Sequence, residues 1–205
     1  MSVLIVAALK SEVKILLKTW GITHEEAVEK HAVKYHCSDD IQILRTGVGL
    51  AKTARVLNHF QNKRPQRILH IGVCGALTSH FQVGDVVRAS AYVNEAGATV
   101  TPLSWPISRG SYWGKETVFL SVTEAVRSHA VRQHLSQKTG AGVTDMESFA
   151  VAKFCEHHNL PLLSLRIVSD LADETAIPTF MREFRSQAAA LQRKILENWV
   201  ELNGR

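Results

Sequence analysis

The sequence predicts an α/β fold in which a mixed, mostly parallel central sheet is flanked by helices. Apolar runs of strand length alternate along the chain with stretches of helical periodicity, a pattern typical of successive strand–helix units. The chain has 205 residues, of which 45% are hydrophobic and 21% are charged, so it can bury a complete core. One domain over residues 1–205 is therefore expected.

Each predicted element follows from its own residues. Strands are apolar runs bounded by turn residues, near 3–9, 32–36, 40–46, 67–73, 85–93, 117–122 and 161–169. Helices are stretches with apolar residues at helical spacing, near 11–20, 49–62, 125–137, 145–158 and 179–202. The stretch 94–116 contains glycines, two prolines and no clear period, and its length predicts a functional or mobile loop.

Composition argues against several kinds of protein. The cysteines Cys37, Cys74 and Cys155 form no C-x-x-C pair, which is typical of a reduced, cytoplasmic protein. The ten histidines show no H-E-x-x-H spacing, so no metal site is expected. The apolar run Val3–Leu9 has no basic leader and is too short to span a membrane, which favours a first core strand.

The charge balance is basic, with a formal net charge of +5, but lysine and arginine are scattered along the chain. The richest basic stretch, 182–194, belongs to the predicted C-terminal helix, whose apolar residues fall near one face. We expect this helix to pack on the core with its polar face in solvent. No nucleic-acid partner is expected, although a nucleic-acid groove or a peripheral contact with an anionic membrane stays an alternative.

Polar or glycine-rich stretches follow four of the predicted strands, at 7–12 (AALKSE), 46–49 (TGVG), 71–77 (IGVCGAL) and 169–170 (SD). In α/β sheets the ligand crevice lies outside the carboxyl ends of the strands, so these four ends predict one pocket. The segment 47–52 (GVGLAK) fits neither the dinucleotide fingerprint nor a Walker A loop. Amide groups at such a helix start can nevertheless bind an anion or a hydroxyl group.

The last predicted strand carries charges that a buried strand does not need for packing. Side chains alternate along a strand, so Arg166 and Asp170 are expected on the same side. A buried arginine requires a carboxylate partner, and a carboxyl group in an apolar pocket becomes a candidate proton donor. Glu12 and Glu147 lie in the first turns of two predicted helices, where a capping role is the alternative to a functional one.

Four segments in order resemble a known family. Residues 144–173 resemble the closing segment of the nucleoside phosphorylase/nucleosidase superfamily, in which an acidic-Met-Glu helix start precedes a strand that ends in Arg-x-x-Ser-Asp. The stretches 6–13 (VAALKSEV), 46–54 (TGVGLAKTA) and 70–87 (HIGVCGALTSHFQVGDVV) resemble its other landmarks. Within the superfamily, the resemblance is greatest to the 5′-methylthioadenosine/S-adenosylhomocysteine nucleosidases and their relatives.

The resemblance implies a nucleoside phosphorylase-like fold and a hydrolase that cleaves the N-glycosidic bond of an adenosine-type nucleoside with a modified 5′ group, without a cofactor. It implies that Asp170 protonates N7 of the leaving purine, that Ser169 and Arg166 orient Asp170, and that Glu12 activates the attacking water. A general acid of this kind contributes roughly 10²–10⁴-fold to the rate.

The resemblance also implies how the substrate is bound. Glu147 matches the carboxylate that accepts hydrogen bonds from the ribose hydroxyl groups, and Met146 packs beneath the sugar. Val48 and Phe180 flank the ribose and its 5′ substituent, while Val126 is the candidate contact for the purine. Relatives of this fold assemble as dimers or hexamers, so a homodimer is expected.

Departures from the phosphorylases of the family favour hydrolysis. Those enzymes bind phosphate with two arginines and a serine, at positions that here are Glu12, His70 and Val73. Two guanidinium groups are thus missing, and the carboxylate of Glu12 would repel phosphate. Val73 also replaces a serine that typical nucleosidases keep near the attacking water.

Several alternatives stay open. One is the branch of hopanoid synthesis that removes adenine from adenosylhopane, favoured by DMES at 145–148, AIP at 176–178 and the basic helix. Another is a purine nucleoside phosphorylase. A futalosine hydrolase is less favoured, because Asp170 would be expected to differ for a hypoxanthine leaving group. The alternative from another class is a non-catalytic module that binds nucleosides or nucleic acid.

Overall fold

The computed structural model describes residues 2–30, 32–38, 40–59, 65–105 and 113–203. Its strands are β1 Val3–Ala7, β2 Glu25–Glu29, β3 Ala32–Ser38, β4 Ile41–Arg45, β5 Arg67–Ala76, β6 Val86–Asn94, β7 Thr99–Val100, β8 Lys115–Ser121, β9 Val143–Asp145 and β10 Leu162–Asp170. Its helices are α1 Lys14–Thr19, α2 Leu50–Asn58, α3 His129–Thr139, α4 Ser148–His158, α5 Ala176–Glu197 and α6 Trp199–Asn203. A 3-10 turn, Lys10–Glu12, precedes α1.

The strands form one mixed sheet in the order β10-β6-β8-β9-β5-β1-β4-β3-β2, with β7 on β6. Strand β5 is its centre, because it pairs in parallel with both β1 and β10 and in antiparallel with β9 at its carboxyl end. The additional pairing of β10 with β5 returns the path to its start, so that end of the sheet closes on itself. The predicted fold class, a mixed and mostly parallel sheet flanked by helices, is confirmed.

Helices cover both faces of the sheet, as the alternation of side chains in β1 illustrates. Leu4 and Val6 pack in one apolar cluster with residues of α2 and α4. Val3, Ile5 and Ala7 pack in a second cluster with residues of α1 and α5. A strand that is covered on both faces must be apolar throughout, which is why β1 reads as a continuous hydrophobic run.

The predicted strands are present with ends shifted by a few residues, but three short strands were missed. The first, β2, reads EEAVE and is largely exposed, so it has neither the apolar run nor the alternation of a core strand. The other two, β7 and β9, have two and three residues. Of the predicted loop 94–116, the described part contains β7 and the start of β8, and 106–112 lie outside the described residues.

The carboxyl end of β10, which contributes to the functional site, departs from regular strand geometry. Strand β10 contains a register shift between Val168 and Asp170, which pair with Cys74 and Gly75 of β5. This irregularity redirects the end of β10 relative to a regular strand.

Among the described helices, none combines the length with the apolar character that crossing a bilayer requires.

Candidate active site

A cleft of about 210 Å³ opens at the carboxyl ends of the central strands. Its lining includes nine of the ten residues predicted for the site, namely Glu12, Val48, Val73, Val126, Met146, Glu147, Ser169, Asp170 and Phe180. The tenth, Arg166, is 1% exposed and does not line the cleft. The sequence prediction that polar strand ends form one pocket therefore agrees with the position of the cleft.

Glu12 comes from the 3-10 turn after β1 and is almost completely buried. Its Oε2 accepts hydrogen bonds from the amides of Ala8 and Leu9, at 3.0 and 2.8 Å. Its Oε1 accepts from the amide of Val73 at 3.1 Å, which joins the ends of β1 and β5. Burial raises the pKa of Glu12, while the positive charge of Arg166 and the three amides oppose that rise. Such a carboxyl group can act as a general base near neutral pH.

Glu147 stands immediately before α4, but its side chain makes no capping bond to that helix. Its Oε1 instead accepts a hydrogen bond of 2.9 Å from the amide of Gly49, at the start of α2. The glycine turn at 47–52 thus offers an amide to a carboxylate of the site. Burial, and then the negative charge of Asp145, raise the pKa of Glu147 to about 8.

Asp145 is a residue of this site that the sequence analysis did not name as a candidate. It does accept from the amide of Ser148 at 3.1 Å, and its carboxylate also accepts from the hydroxyl groups of Ser121, at 2.7 Å, and of Ser148. Its further partner is Arg166, whose Nε and Nη2 lie 3.0 and 2.9 Å from Oδ2. The demand of a buried arginine for a carboxylate was the signal that could have identified it.

The expectation that Arg166 orients Asp170 directly is corrected by these contacts. The guanidinium of Arg166 binds Asp145, whereas the hydrogen-bond partners of Asp170 are Ser169 and Ala172. The separate expectation that Arg166 and Asp170 lie on the same side assumed regular alternation along β10, which the register shift between Val168 and Asp170 interrupts.

Asp170 ends β10 at the floor of the cleft and is 9% exposed. Its Oδ2 accepts from the hydroxyl of Ser169 at 2.9 Å, and its Oδ1 accepts from the amide of Ala172 at 3.0 Å. Burial raises the pKa of Asp170. Gly75 leaves room for this carboxyl group, because a Cβ there would lie 2.9 Å from Oδ1.

The side chains of Glu12 and Arg166 both approach a glycine of β5, Gly72. A Cβ on Gly72 would lie 2.7 Å from Oε1 of Glu12 and 3.0 Å from Nη1 of Arg166. Among the described residues, that Nη1 has no hydrogen-bond partner, although it is buried. The opposite amino group, Nη2, lies 2.7 Å from Nε2 of His70, a buried side chain on β5.

The remaining walls of the cleft are apolar. Met146 lies beside Glu147, and Val126 lies in the segment before α3. Val48 is 46% exposed and comes from the glycine turn, while Phe180 comes from the first turns of α5. Apolar side chains that sequence reasoning did not name, Val122, Ala172 and Ile177, complete these walls.

A family model described as the phosphorylase superfamily matches residues 2–106 and 100–201, which is nearly the whole chain. The chain belongs to the phosphorylase superfamily. The predicted family and the predicted fold are therefore confirmed, and the chain is an enzyme of this superfamily.

Curated relatives in the superfamily align over nearly their whole length. An aminodeoxyfutalosine nucleosidase from Helicobacter pylori is 24% identical, over 96% of this chain and 97% of the relative. A 5′-methylthioadenosine/S-adenosylhomocysteine nucleosidase from Staphylococcus aureus is 25% identical with the same coverage. A nucleosidase of that second name from Colwellia psychrerythraea, solved in complex with adenine, superposes with a TM-score of 0.82 at 16% identity, over 100% of this chain and 95% of that one. This solved structure shares the fold of the chain.

Proposed function

We propose that the protein is a purine nucleosidase, which hydrolyses the N-glycosidic bond of an adenosine-type nucleoside with a modified 5′ group and releases adenine. The observation that carries the proposal is the placement of Glu12, Glu147 and Asp170 around one apolar cleft, each with a raised pKa. A carboxyl group whose pKa is raised keeps its proton to a higher pH than an exposed one, which suits acid and base catalysis.

The proposed chemistry assigns a separate task to each carboxyl group. Cleavage of an N-glycosidic bond leaves a purine that needs a proton and a sugar with the character of an oxocarbenium ion. Asp170, whose pKa burial raises, is the proton donor to N7 of the purine. Glu12 accepts a proton from the attacking water, which requires it to be ionised.

Arg166 supports the opposite protonation states of Glu12 and Asp170. Its positive charge lowers the pKa of Glu12 and opposes the effect of burial on that group. The described interactions that shift the pKa of Asp170 do not include Arg166. A guanidinium that acts on one carboxyl group more than on the other favours an ionised base beside a protonated acid.

Glu147 and the apolar walls suit the sugar. In the proposal the carboxyl oxygens of Glu147 accept hydrogen bonds from the ribose hydroxyl groups and hold the sugar in the cleft. Met146 offers a soft apolar surface to the ring. Val48 and Phe180 flank the 5′ substituent, and Val126 contacts the purine.

Hydrolysis is favoured over phosphorolysis because the cleft offers little to an anion. Among the described residues that line it, there is no lysine, arginine or histidine, whereas Glu12, Asp145, Glu147 and Asp170 are all acidic. The nearest guanidinium, that of Arg166, is bound to Asp145. Phosphate would meet carboxylates instead of the arginines that bind it well.

The names of the relatives agree with adenine as the leaving base. By its name, one curated relative is a nucleosidase for 5′-methylthioadenosine and S-adenosylhomocysteine, which are adenosine derivatives with different 5′ groups. A solved relative with the same fold was obtained with adenine bound.

A panel of nucleosides tests the proposal. Purified protein is incubated with 5′-methylthioadenosine, S-adenosylhomocysteine, aminodeoxyfutalosine, adenosine and inosine, with and without phosphate, and the free base is measured by chromatography. We expect adenine release from at least one 5′-modified adenosine, at a rate that phosphate does not change. Release that depends strictly on phosphate, or no release from any nucleoside, would overturn the proposal.

A second candidate substrate is an adenosine with a large hydrocarbon at its 5′ carbon, of the adenosylhopane type. It is favoured by apolar side chains that line the cleft and are also exposed to solvent, since Val48 is 46% and Ile177 is 45% exposed. Adding such a nucleoside in detergent to the same panel distinguishes the two. Preferential release from the hydrocarbon nucleoside would support this second candidate over the first.

A further inference from the structure

A turn at 82–85, before β6, is hydrogen-bonded to strand β10 two residues before Asp170, and the proposed chemistry gives this turn no task. The amide of Val168 donates to the carbonyl of Asp85, at 2.9 Å. The amide of Gly84 donates to the carbonyl of Val168, also at 2.9 Å. Val168 is completely buried, so the turn satisfies backbone groups that no water can reach.

Val168 is also the last residue of β10 before its register shift. It pairs with Cys74 of β5, whereas Asp170 pairs with the next residue of β5, Gly75, so Ser169 is an extra residue in the ladder. An extra residue disrupts the pairing locally, and the strand is then less firmly held from the β5 side. The turn 82–85 bonds to β10 at the edge of this irregularity, and it therefore contributes to the position at which Asp170 enters the cleft.

Asp85 closes the turn with its backbone and with its side chain. Its amide donates to the carbonyl of Gln82 at 3.0 Å, and its Oδ2 accepts from the amide of Gln82 at 2.9 Å. The ammonium group of Lys115, at the start of β8, lies 2.6 Å from the same oxygen. Gly84 has a φ of 94° at the third position of the turn, a conformation that favours glycine. The carboxylate of Asp85 thus stabilises the turn and joins it to β8.

We propose that Asp85 is a positioning residue of the nucleosidase, which holds the turn 82–85 against Val168 and so fixes where Asp170 meets the leaving purine. This inference rests on the proposed function, in which Asp170 is the acid. Proton transfer requires the donor within hydrogen-bond distance of the acceptor, and a misplacement of about 1 Å can cost on the order of 100-fold in rate. Asp85 does not line the cleft, so it acts only through the backbone of β10.

A change of leaving group isolates the step that Asp85 is proposed to support. A nitrophenyl riboside with the 5′ group of the most active nucleoside releases a stable anion, so its cleavage needs no acid, whereas release of a purine does. The quantity measured is the leaving-group ratio, which is kcat/KM for the nucleoside divided by kcat/KM for the nitrophenyl riboside. Partial unfolding lowers both rates equally, so the ratio does not depend on the folded fraction.

Two variants alter the turn by independent means. Asp85→Ala removes the carboxylate, and we expect its leaving-group ratio to fall about tenfold or more. Asp85→Asn keeps an acceptor for the amide of Gln82 and should restore most of the ratio. Gly84→Ala strains the backbone of the turn, since its Cβ would meet only Oε1 of Gln187, at 3.7 Å, and we expect a similar fall. Gly97→Ala, at a φ of 86° in an exposed turn, is the matched control and should keep the wild-type ratio.

A wild-type leaving-group ratio in Asp85→Ala or in Gly84→Ala would overturn the inference, even if the variant has a lower melting temperature. Such a result would mean that the turn serves only the stability of the fold.

Nuclear magnetic resonance reports on the surroundings of Asp170 without any substrate. The amide of Ala172 donates to Oδ1 of Asp170 at 3.0 Å, so its proton shift depends on this hydrogen bond. In protein with ¹⁵N-labelled alanine, the signal that disappears in Ala172→Gly is assigned to Ala172. We expect this signal to move in Asp85→Ala and to stay in Gly97→Ala, and an unchanged signal in Asp85→Ala would overturn the inference. If no substrate is cleaved, the proposed function fails, while this signal still decides whether Asp85 positions Asp170.

Discussion

At the scale of single residues, the buried charges are the feature that ordinary packing does not explain. Asp145, Glu147 and Glu12 all act on the one guanidinium of Arg166. Removing several charges from water is costly unless they are paired, and here acidic groups outnumber the basic one. Protonation of Glu147 reduces this excess of negative charge, because burial and Asp145 raise the pKa of Glu147 to about 8.

Substitution of Asp170 tests its role as the acid. Asp170→Asn keeps one acceptor, for the amide of Ala172, and turns an amino group towards the hydroxyl of Ser169, but it cannot donate the carboxyl proton. We expect kcat to fall by about 10²–10⁴-fold, the usual contribution of a general acid. The melting temperature should not fall, because burial already favours the uncharged form of this group. Both quantities are measured on the purified variant.

Asp173 supplies the matched control for that substitution. Its Oδ1 accepts from the amide and the hydroxyl of Thr175, at 2.9 and 2.7 Å, in the turn before α5. Asp173→Asn keeps these acceptors and lies away from the cleft lining, so wild-type activity is expected. An Asp170→Asn variant as active as Asp173→Asn would show that Asp170 is not the acid.

Glu147 makes stability depend on pH in a defined direction. Its pKa is raised from 4.5 to about 8 in the folded protein, so between these values the folded state binds more protons than the unfolded state. The contribution is therefore present at low pH and is lost as pH rises towards 8. One pKa unit corresponds to about 1.4 kcal/mol, so a loss of roughly a few kcal/mol is expected.

Glu147→Gln removes this titration. We expect the free energy of unfolding of the wild type to fall from about pH 5 to about pH 8, and that of the variant to fall less. Denaturant unfolding at several pH values measures both slopes. Equal slopes in the two proteins would contradict the raised pKa of Glu147.

At the scale of elements, β5 and β10 bring the site together. They pair in parallel over eight residues from Leu162↔Ile68 to Asp170↔Gly75, so His70, Gly72 and Arg166 lie side by side. The sequence predicted both strands, because continuous apolar runs are typical of strands covered on both faces. The sequence did not predict the register shift before Asp170, because the local residue pattern does not indicate where a strand departs from regular pairing with its neighbour.

Gly72→Ala tests the close approach of side chains at β5. The new Cβ would lie 2.7 Å from Oε1 of Glu12, and that carboxylate is fixed by three backbone amides. Glu12 or the tip of Arg166 must therefore move, and we expect kcat/KM to fall by about tenfold or more. Gly97→Ala, in an exposed turn with open space around it, is the control that should keep wild-type kcat/KM. Equal kcat/KM in the two variants would contradict the account of Gly72.

At the scale of the whole molecule, the fold was more predictable than the site. Alternating apolar runs and helical periods identify the class, because they reflect burial along the chain. The closure of the sheet by β10 on β5, and the ion pair between Asp145 and Arg166, join residues that are distant in sequence. Local patterns contain no signal for such pairs, so the contact of Asp145 with Arg166 emerged only from the structure.

The expected homodimer stays a prediction at this scale. Ile177, which lines the cleft, and Met181 lie one turn apart on α5 and are 45% and 73% exposed. Apolar side chains exposed together are typical of surfaces that another molecule covers. We expect light scattering after size exclusion to give the mass of two chains for the wild type. A monomer at micromolar concentration would contradict the expectation.

The central claim is that water, not phosphate, attacks the sugar while adenine leaves. The most direct measurement is mass spectrometry of the sugar product, with the most active nucleoside of the panel and excess phosphate. We predict one free sugar for each adenine released, at the same rate as without phosphate. A sugar 1-phosphate as the product would contradict the account.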